Sequence, residues 1–402
     1  MVTRAKDKIE GKRYIYNIRG RLEMTRRERL MNTLNGKPVD RPAVCFYEIN
    51  GLDQDPDNKS PFNIYADPSW KQLIELTREK SDRIPRRGLS TLITQSPDCP
   101  LQALIRKEVV MEGGSEKTLL SLQCRDRILT AVTRRDPDVD TVWHLEHLLK
   151  NIDDLKAYLE LPFPKFEETV NVAPVLNAEK AIGDSGIVMV DMGDPLCRAA
   201  ELFNMEDYLV IAMTEKELFH RLLERFAVIL QPQVDRVAAA LPGRLWRVVG
   251  SEYASAPYLP PALYREFLTE YDKPIIRAIH KHGGFARIHS HGNLKGILGH
   301  LAETGIMGLD PVEPPPQGDV ELREVREKYG KEWVLFGNLE ASDLETLPTP
   351  RFEEKIKRAL DEGTRGQGRG FVLMPSACPY GRKLSSLTMA NYEAMIKSVE
   401  WL

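Results

Sequence analysis

Short apolar runs separated by amphipathic helical stretches recur along the chain, and no other feature of the sequence constrains its fold as much. Beyond residue 185 the runs are Gly186 to Asp191, Arg244 to Glu252, Phe285 to His291, Met307 to Asp310, Trp333 to Asn338 and Phe371 to Met374. Each is too short for an ordinary helix and is bounded by turn formers, the pattern of a strand buried on both faces. Helical periodicity fills the gaps, at Glu215 to Ala240, Pro261 to His282, Leu294 to Thr304, Val320 to Tyr329 and Pro350 to Glu362, and Leu384 to Trp401 follows the last run. Two earlier runs join the set: Ala43 to Ile49, and a weaker one at Gly88 to Gln95 after a helix around Trp70 to Lys80. Eight strands, each followed by helical sequence, predict a parallel sheet closed into a (β/α)8 barrel of the α/β class. An open doubly wound sheet is the alternative. Its dinucleotide-binding form is weakened because no G-x-G-x-x-G follows any strand.

The rest of the chain fits around one barrel domain spanning 24–402. Residues 1–23 are charged and without pattern, and are expected to form a solvated arm. Thr25 with Glu28 three residues on is a capping box, opening a helix that ends near Asn35-Gly36. From about Ala103 to Arg134 the pattern turns to polar/apolar alternation, broken at Glu112-Gly113-Gly114-Ser115, which predicts an antiparallel β-hairpin inserted into the barrel. The whole peripheral insertion spans about 97–165 and closes in the proline-rich stretch Leu161 to Pro164.

Charge and cysteine content narrow the function. With 56 basic against 59 acidic residues the net charge is -3, which argues against binding nucleic acid or a membrane surface and for a small substrate. Five scattered cysteines without a C-x-x-C pair fit a reducing compartment, so a cytoplasmic location is expected. The basic N-terminus is followed by no apolar h-region, and no run reaches the roughly eighteen apolar residues of a membrane span.

Barrel proteins place their chemistry at the carboxyl ends of the strands, so the polar residue closing each apolar run is informative. These are Glu48, Asp191, Glu252, His289 with His291, Asp310, Asn338 with Glu340, and Cys378. Strand side chains alternate faces, so His289 and His291 point the same way, and two imidazoles on one face invite a metal. A thiolate from Cys378, in Met374-Pro375-Ser376-Ala377-Cys378-Pro379-Tyr380-Gly381, would complete a zinc-like set. Each residue also has a plainer reading: hydrogen-bonded structural histidines, a small buried hydrophobe for Cys378, a helix cap for Asp191 or, better placed, Asp194. Asp310 is either a ligand or a residue that orients one of the histidines. Glu252-Tyr253 precedes a loop of small residues with room for a ligand. His144, His147, His220, His280, His282 and His300 fall on helical or peripheral sequence, as surface or packing residues.

The segments Met24-Thr25-Arg26-Arg27-Glu28-Arg29-Leu30 to Gly36-Lys37-Pro38-Val39-Asp40-Arg41, His289-Ser290-His291-Gly292-Asn293, Gly337-Asn338-Leu339 and Ser376-Ala377-Cys378 resemble the uroporphyrinogen decarboxylase superfamily, from about residue 24 to the C-terminus. The resemblance implies a (β/α)8 barrel. Uroporphyrinogen decarboxylases carry an Arg-Gln-Ala-Gly-Arg loop after the first strand, and here that place reads Phe46-Tyr47-Glu48-Ile49-Asn50-Gly51, wrong for a polyanionic substrate. The other branch, the corrinoid-linked methyltransferases, holds zinc with His-x-Cys at one strand end and a late cysteine. His289 and Cys378 match, and His291 stands in place of the first cysteine.

An imidazole in place of a thiolate makes a bound zinc more Lewis acidic, suited to polarising the oxygen or nitrogen leaving group of a methyl donor rather than to holding a thiol. The resemblance therefore implies a zinc-dependent methyltransferase that passes a methyl group from a small O- or N-methylated compound to cob(I)alamin on a partner corrinoid protein. In that reading His289, His291 and Cys378 hold the metal, and Glu252 or Asp310 is a fourth ligand or proton donor. Glu48, Asp191, Tyr253 and Asn338 contact substrate, an aryl methyl ether being the first candidate because Phe46, Tyr47 and Tyr253 are expected near the mouth. Decarboxylation of a non-porphyrin acid is the alternative enzyme reading, and a non-catalytic corrinoid- or metal-binding barrel the third. The sequence leaves the oligomeric state open, a homodimer included, and does not say whether the insertion covers the pocket.

Overall fold

Eight parallel strands carry the architecture: β1 Ala43–Val44, β2 Arg86–Gly88, β3 Met189–Gly193, β4 Leu245–Val249, β5 Phe285–Ser290, β6 Gly308–Pro311, β7 Val334–Leu339 and β8 Phe371–Pro375. The computed structural model describes residues 6–9, 12–16 and 22–400. Consecutive strands from β2 to β8 are neighbours in one sheet, and β8 returns to pair with β1, so the sheet curls into a (β/α)8, TIM-barrel-like arrangement. Between β1 and β2 there is no ladder. The seam is held instead by Asp82, whose N–H donates to Val44 O at 2.7 Å. The fully buried Asp82 carboxylate accepts from Val44 N at 2.8 Å, Arg29 Nη1 at 2.6 Å and Arg41 Nη1 at 3.0 Å.

Period-two alternation divides each strand between two cores. Trp246, Ile288, Leu309, Leu335 and Leu373 face outward into the cluster shared with the surrounding helices. Ala43, Met189, Leu245, Phe285, Val334 and Val372 fill the barrel interior, and Leu30 and Leu34 of the first helix close its base. That helix, Arg26–Leu34, starts on the capping box its sequence announces: Glu28 N–H donates to Thr25 Oγ1 at 3.1 Å and Thr25 N–H to Glu28 Oε2 at 2.9 Å. The longest helix, Lys216–Ala240, buries Phe219, Leu222, Leu223, Leu230, Val234 and Val237 at helical spacing.

Two expectations change. The second strand lies at Arg86–Gly88 rather than Gly88 to Gln95; Leu89–Leu92 is a helical turn, and Ile93–Gln95 pairs antiparallel with Phe166–Val170 away from the barrel. The apolar residues that suggested a strand bury Leu89 and Leu92 from that turn, while the strand itself carries arginines that face ion pairs. The insertion is a four-stranded antiparallel meander, Ile105–Glu112, Ser115–Cys124, Arg127–Arg135 and Val142–Glu146, of which the expected hairpin is the first part. Its second turn, Arg125-Asp126, has no glycine to announce it, Arg125 itself adopting φ 49°. At the N-terminus Lys6–Ile9, Lys12–Tyr16 and Leu22–Glu23 pair as a small antiparallel sheet; the other residues of the expected arm lie outside the described residues.

The meander is fastened beside the barrel mouth. Asp140 N–H donates to Tyr380 O and Arg382 N–H to Asp138 O, both at 2.8 Å, which ties the meander's last turn to the loop after β8. Tyr65 donates to Asp140 Oδ2 at 3.0 Å from the opposite side.

Candidate functional site

On β5 the inward positions are Phe285, Arg287 and His289, so one face of one strand passes from apolar base to cation to imidazole. The register sets Asp191, Arg247 and Arg287 side by side on β3, β4 and β5, and Asp310 beside His289 on β6. A charged belt results. Arg247 grips Asp191 with two hydrogen bonds, Nε to Oδ1 at 2.7 Å and Nη2 to Oδ2 at 3.0 Å, and gives Nη1 to Tyr47 OH at 2.9 Å. Arg86 bonds both oxygens of Glu48. Arg287 Nε stands 2.8 Å from Asp310 Oδ1, an ion pair too poorly aligned to be a hydrogen bond, and its guanidinium lies 4.4 Å over the Phe336 ring. Three arginines against three carboxylates leave the belt neutral, yet Arg287 Nη1, buried, has no hydrogen-bond partner. Below Tyr47 and Glu48 a narrow cleft reaches Arg86, Arg247, Arg287 and Met374.

Above the belt both histidines are held at Nδ1 by a carboxylate: His289 by Asp310 Oδ2 and His291 by Glu313 Oε1, each at 2.8 Å. Their rings meet edge to face, centroids 4.6 Å apart. Burial alone would push the Asp310 carboxyl up, but Arg287 and His289 outweigh it and hold it at about 2. An acid that low is ionised at neutral pH, so Asp310 orients His289 rather than donating a proton. His291 is the more open of the two, and although burial disfavours its cation, Glu313 raises its pKa above the ordinary value. The other Glu313 oxygen accepts Gly292 N–H at 2.7 Å, which fixes the pair. Tyr47 lies with its hydroxyl 3.5 Å from His289 Nε2, on a backbone at φ 53° that a bulky residue rarely adopts.

The remaining anticipated residues disperse. Glu48 and Asp191 are in the belt. Glu252 opens the short helix Ser251–Ala254 with Oε2 buried and unpartnered. Tyr253 packs away from the belt, edge-on to Tyr208 at 6.2 Å. Asn338 lines a separate cleft with Glu340, Asp343 and Lys355, where burial and the neighbouring Glu313 push Glu340 up to about 7. Asp194 caps helix Pro195–Ala200, accepting Cys197 N–H at 2.6 Å.

Cys378 does not join the histidines. Its charged neighbours are Glu48, Arg86 and Asp140, burial pushes its thiol up to about 12, and among the described residues no three His, Cys, Asp or Glu side chains are set to hold a metal. The His289, His291 and Cys378 set therefore does not fit zinc in this arrangement. Cys378→Ala is accordingly expected to leave the metal content of the purified protein, measured by plasma mass spectrometry, unchanged.

Sequence reading passed over Arg86, Arg247, Arg287 and Glu313. A signal was present for two of them: Arg247 and Arg287 interrupt apolar strands, and Arg287 shares the parity of His289. Glu313 lies past its strand, in a loop without periodicity.

One further prediction concerns Asp194, buried against Asp272. Burial, then Glu252, lifts Asp194 to about 7, and burial with Asp194 lifts Asp272. An unfolded aspartate titrates near about 4, so between about 4 and 7 the folded state binds more protons and stability falls as pH rises. Asp194→Asn keeps the cap but removes the charge. The loss of urea midpoint between about pH 5 and about pH 8 is expected to be smaller in the variant than in the wild type.

Fold and site together define a (β/α)8 barrel protein with its polar groups gathered at the carboxyl ends of the strands. The profile of the family described as uroporphyrinogen decarboxylase (URO-D) matches residues 136–400, and the chain belongs to that family. No curated protein matches it. Among solved structures it is similar to a methyltransferase from Methanosarcina mazei, with 17% identity, TM-score 0.56 and coverage of 94% of this chain and 98% of the other. It is also similar to D-psicose 3-epimerase from Clostridium cellulolyticum H10, with 10% identity, TM-score 0.34 and coverage of 56% and 81%.

Proposed function

We propose that the protein is a methyltransferase that moves a methyl group from a small O- or N-methylated compound, an aryl methyl ether first, to the cob(I)alamin of a partner corrinoid protein. The observation that carries this reading is the pair of imidazoles at the mouth, each gripped at Nδ1 by a carboxylate and so oriented at Nε2. The corrinoid supplies the nucleophile that takes the methyl group. The chain's part is to hold the donor and to protonate the oxygen or nitrogen left behind when its bond to the methyl carbon breaks. His291, with Glu313 favouring its protonated form, gives that proton from Nε2; Glu313 stays ionised and keeps the ring in place. Arg287 Nη1, the unpaired donor of the belt, would take an acceptor atom at the far end of the substrate. No step runs through zinc. The Methanosarcina mazei neighbour is itself a methyltransferase, which agrees with the reading.

Decarboxylation of a small non-porphyrin acid is the second reading, favoured by the same unpaired Arg287 nitrogen beside Arg86 and Arg247. Incubation with cob(I)alamin and a panel of methoxylated and N-methylated compounds, followed by spectrum, is expected to show methylcobalamin. No methylcobalamin with any of them, together with carbon dioxide release from a carboxylic acid panel, would replace the first reading by the second.

A further inference from the structure

The meander ends in an edge that nothing covers among the described residues. Its first strand, Ile105–Glu112, is outermost in the sheet and pairs only with Ser115–Cys124. Every residue of the strand is exposed, Val109 at 54% and Met111 at 58%. The two-residue loop Gly113-Gly114, with φ 59° and 87°, is the primed hairpin turn, which makes Glu112 and Ser115 a hydrogen-bonded pair. Bonded and non-bonded pairs alternate along an antiparallel ladder. The even-numbered residues therefore bond inward, and the N–H and C=O groups of Ile105, Lys107, Val109 and Met111 point outward. Proteins commonly guard such an edge with charge, and Arg106, Lys107 and Glu108 would serve.

We propose that this edge pairs antiparallel with the same strand of a second copy, about a two-fold axis through Val109, joining two meanders into one continuous sheet. The charge pattern selects both occupant and register. A two-fold perpendicular to the sheet sets residues of the same face opposite each other. An axis at Lys107 opposes two lysines, one at Glu108 opposes two glutamates, and one at Val110 opposes Glu108 to Glu112. Among axes that pair more than three residues of the strand, only the one at Val109 opposes no like charges, and it sets Arg106 opposite Glu112 of the other copy on both sides. Val109 then meets itself, Met111 covers the aliphatic stem of Lys107, and the outward backbone groups of Lys107, Val109 and Met111 find partners. The guard charges thus become a self-complementary code, as an isologous contact requires.

Sedimentation velocity on the full chain across a concentration series tests this. The wild type is expected to dimerise; Val109→Lys and Val109→Glu, each opposing like charges on the axis, are expected to be monomeric; and an equal mixture of the two is expected to recover the dimer. Position 109 is exposed, so both variants should fold, which far-ultraviolet circular dichroism checks. In the wild-type dimer the amides of Lys107, Val109 and Met111 are expected to exchange roughly tenfold or more slower than in Val109→Lys. A monomeric wild type at all concentrations, a Val109→Lys dimer as stable as the wild type, or a mixture that stays monomeric would each overturn the proposal.

Discussion

Replacement of His291 by glutamine is expected to lower kcat for the proposed methyl transfer by ~10²–10⁴-fold, the usual contribution of a positioned proton donor, with KM changed far less. The carboxamide can still accept or donate a hydrogen bond, so Glu313 keeps a partner and its hold on Gly292 N–H; what is lost is a transferable proton. Glu313→Gln separates the roles. It preserves a contact to Nδ1 but withdraws the charge that favours the imidazolium, so the alkaline limb of the rate profile should move to lower pH. A donor whose leaving group needs no proton, such as a sulfonium or quaternary ammonium compound, should be used almost as well by His291→Gln as by the wild type. Equal loss with both kinds of donor would mean that His291 is structural.

The second large effect is on stability. Asp310→Asn is expected to cost about 3–5 kcal/mol, because it leaves the buried Arg287 guanidinium beside a neutral amide, and breaking a buried pair exposes the full cost of the unpaired charge. Asp310 is completely buried and Arg287 nearly so, at 2% exposure, which denies the orphaned charge relief from solvent. Adding Arg287→Met to Asp310→Asn should recover much of that loss, since no unpaired charge then remains. The comparison is read from urea unfolding of the single and double variants. A single variant within about 0.5 kcal/mol of the wild type, the range of a surface substitution, would show that the misaligned contact contributes nothing.

The barrel was legible because its evidence is redundant: six of the eight strands are apolar runs flanked by turn formers, and the helices between them repeat every three to four residues. Ala43–Val44 opens the longer run Ala43 to Ile49 that announced it, and Arg86–Gly88 was harder, since a strand so short carries almost no period and Arg86-Arg87 reads as surface. The ring of strand-end acids and histidines could be named, as could the pairing of Asp310 with a histidine. What sequence could not supply was distance across the barrel. His289, His291 and Cys378 close two strands on the same rim, yet Cys378 turns toward Glu48 and the meander while the histidines turn toward Asp310 and Glu313. Residue type at a strand end fixes the rim, not the azimuth of the side chain. The arginines were missed for the opposite reason, because an apolar run was read as a whole when its parity held the information.

The seam between β1 and β2 has a consequence for how the cleft is reached. Six of the residues lining that cleft, Cys45, Tyr47, Glu48, Asn50, Ile84 and Arg86, come from the two sides of the seam, where side-chain contacts take the place of a backbone ladder. A wall stitched by side chains, Asp82 on Val44 at one end and Arg83 Nε on Asn50 O at 2.6 Å with Arg86 on Glu48 at the other, can part without breaking a row of backbone hydrogen bonds, whereas the wall opposite cannot. The compliant direction of this barrel is therefore sideways, through the gap at Asp82, and the first helix, through Arg29, works as the latch on it.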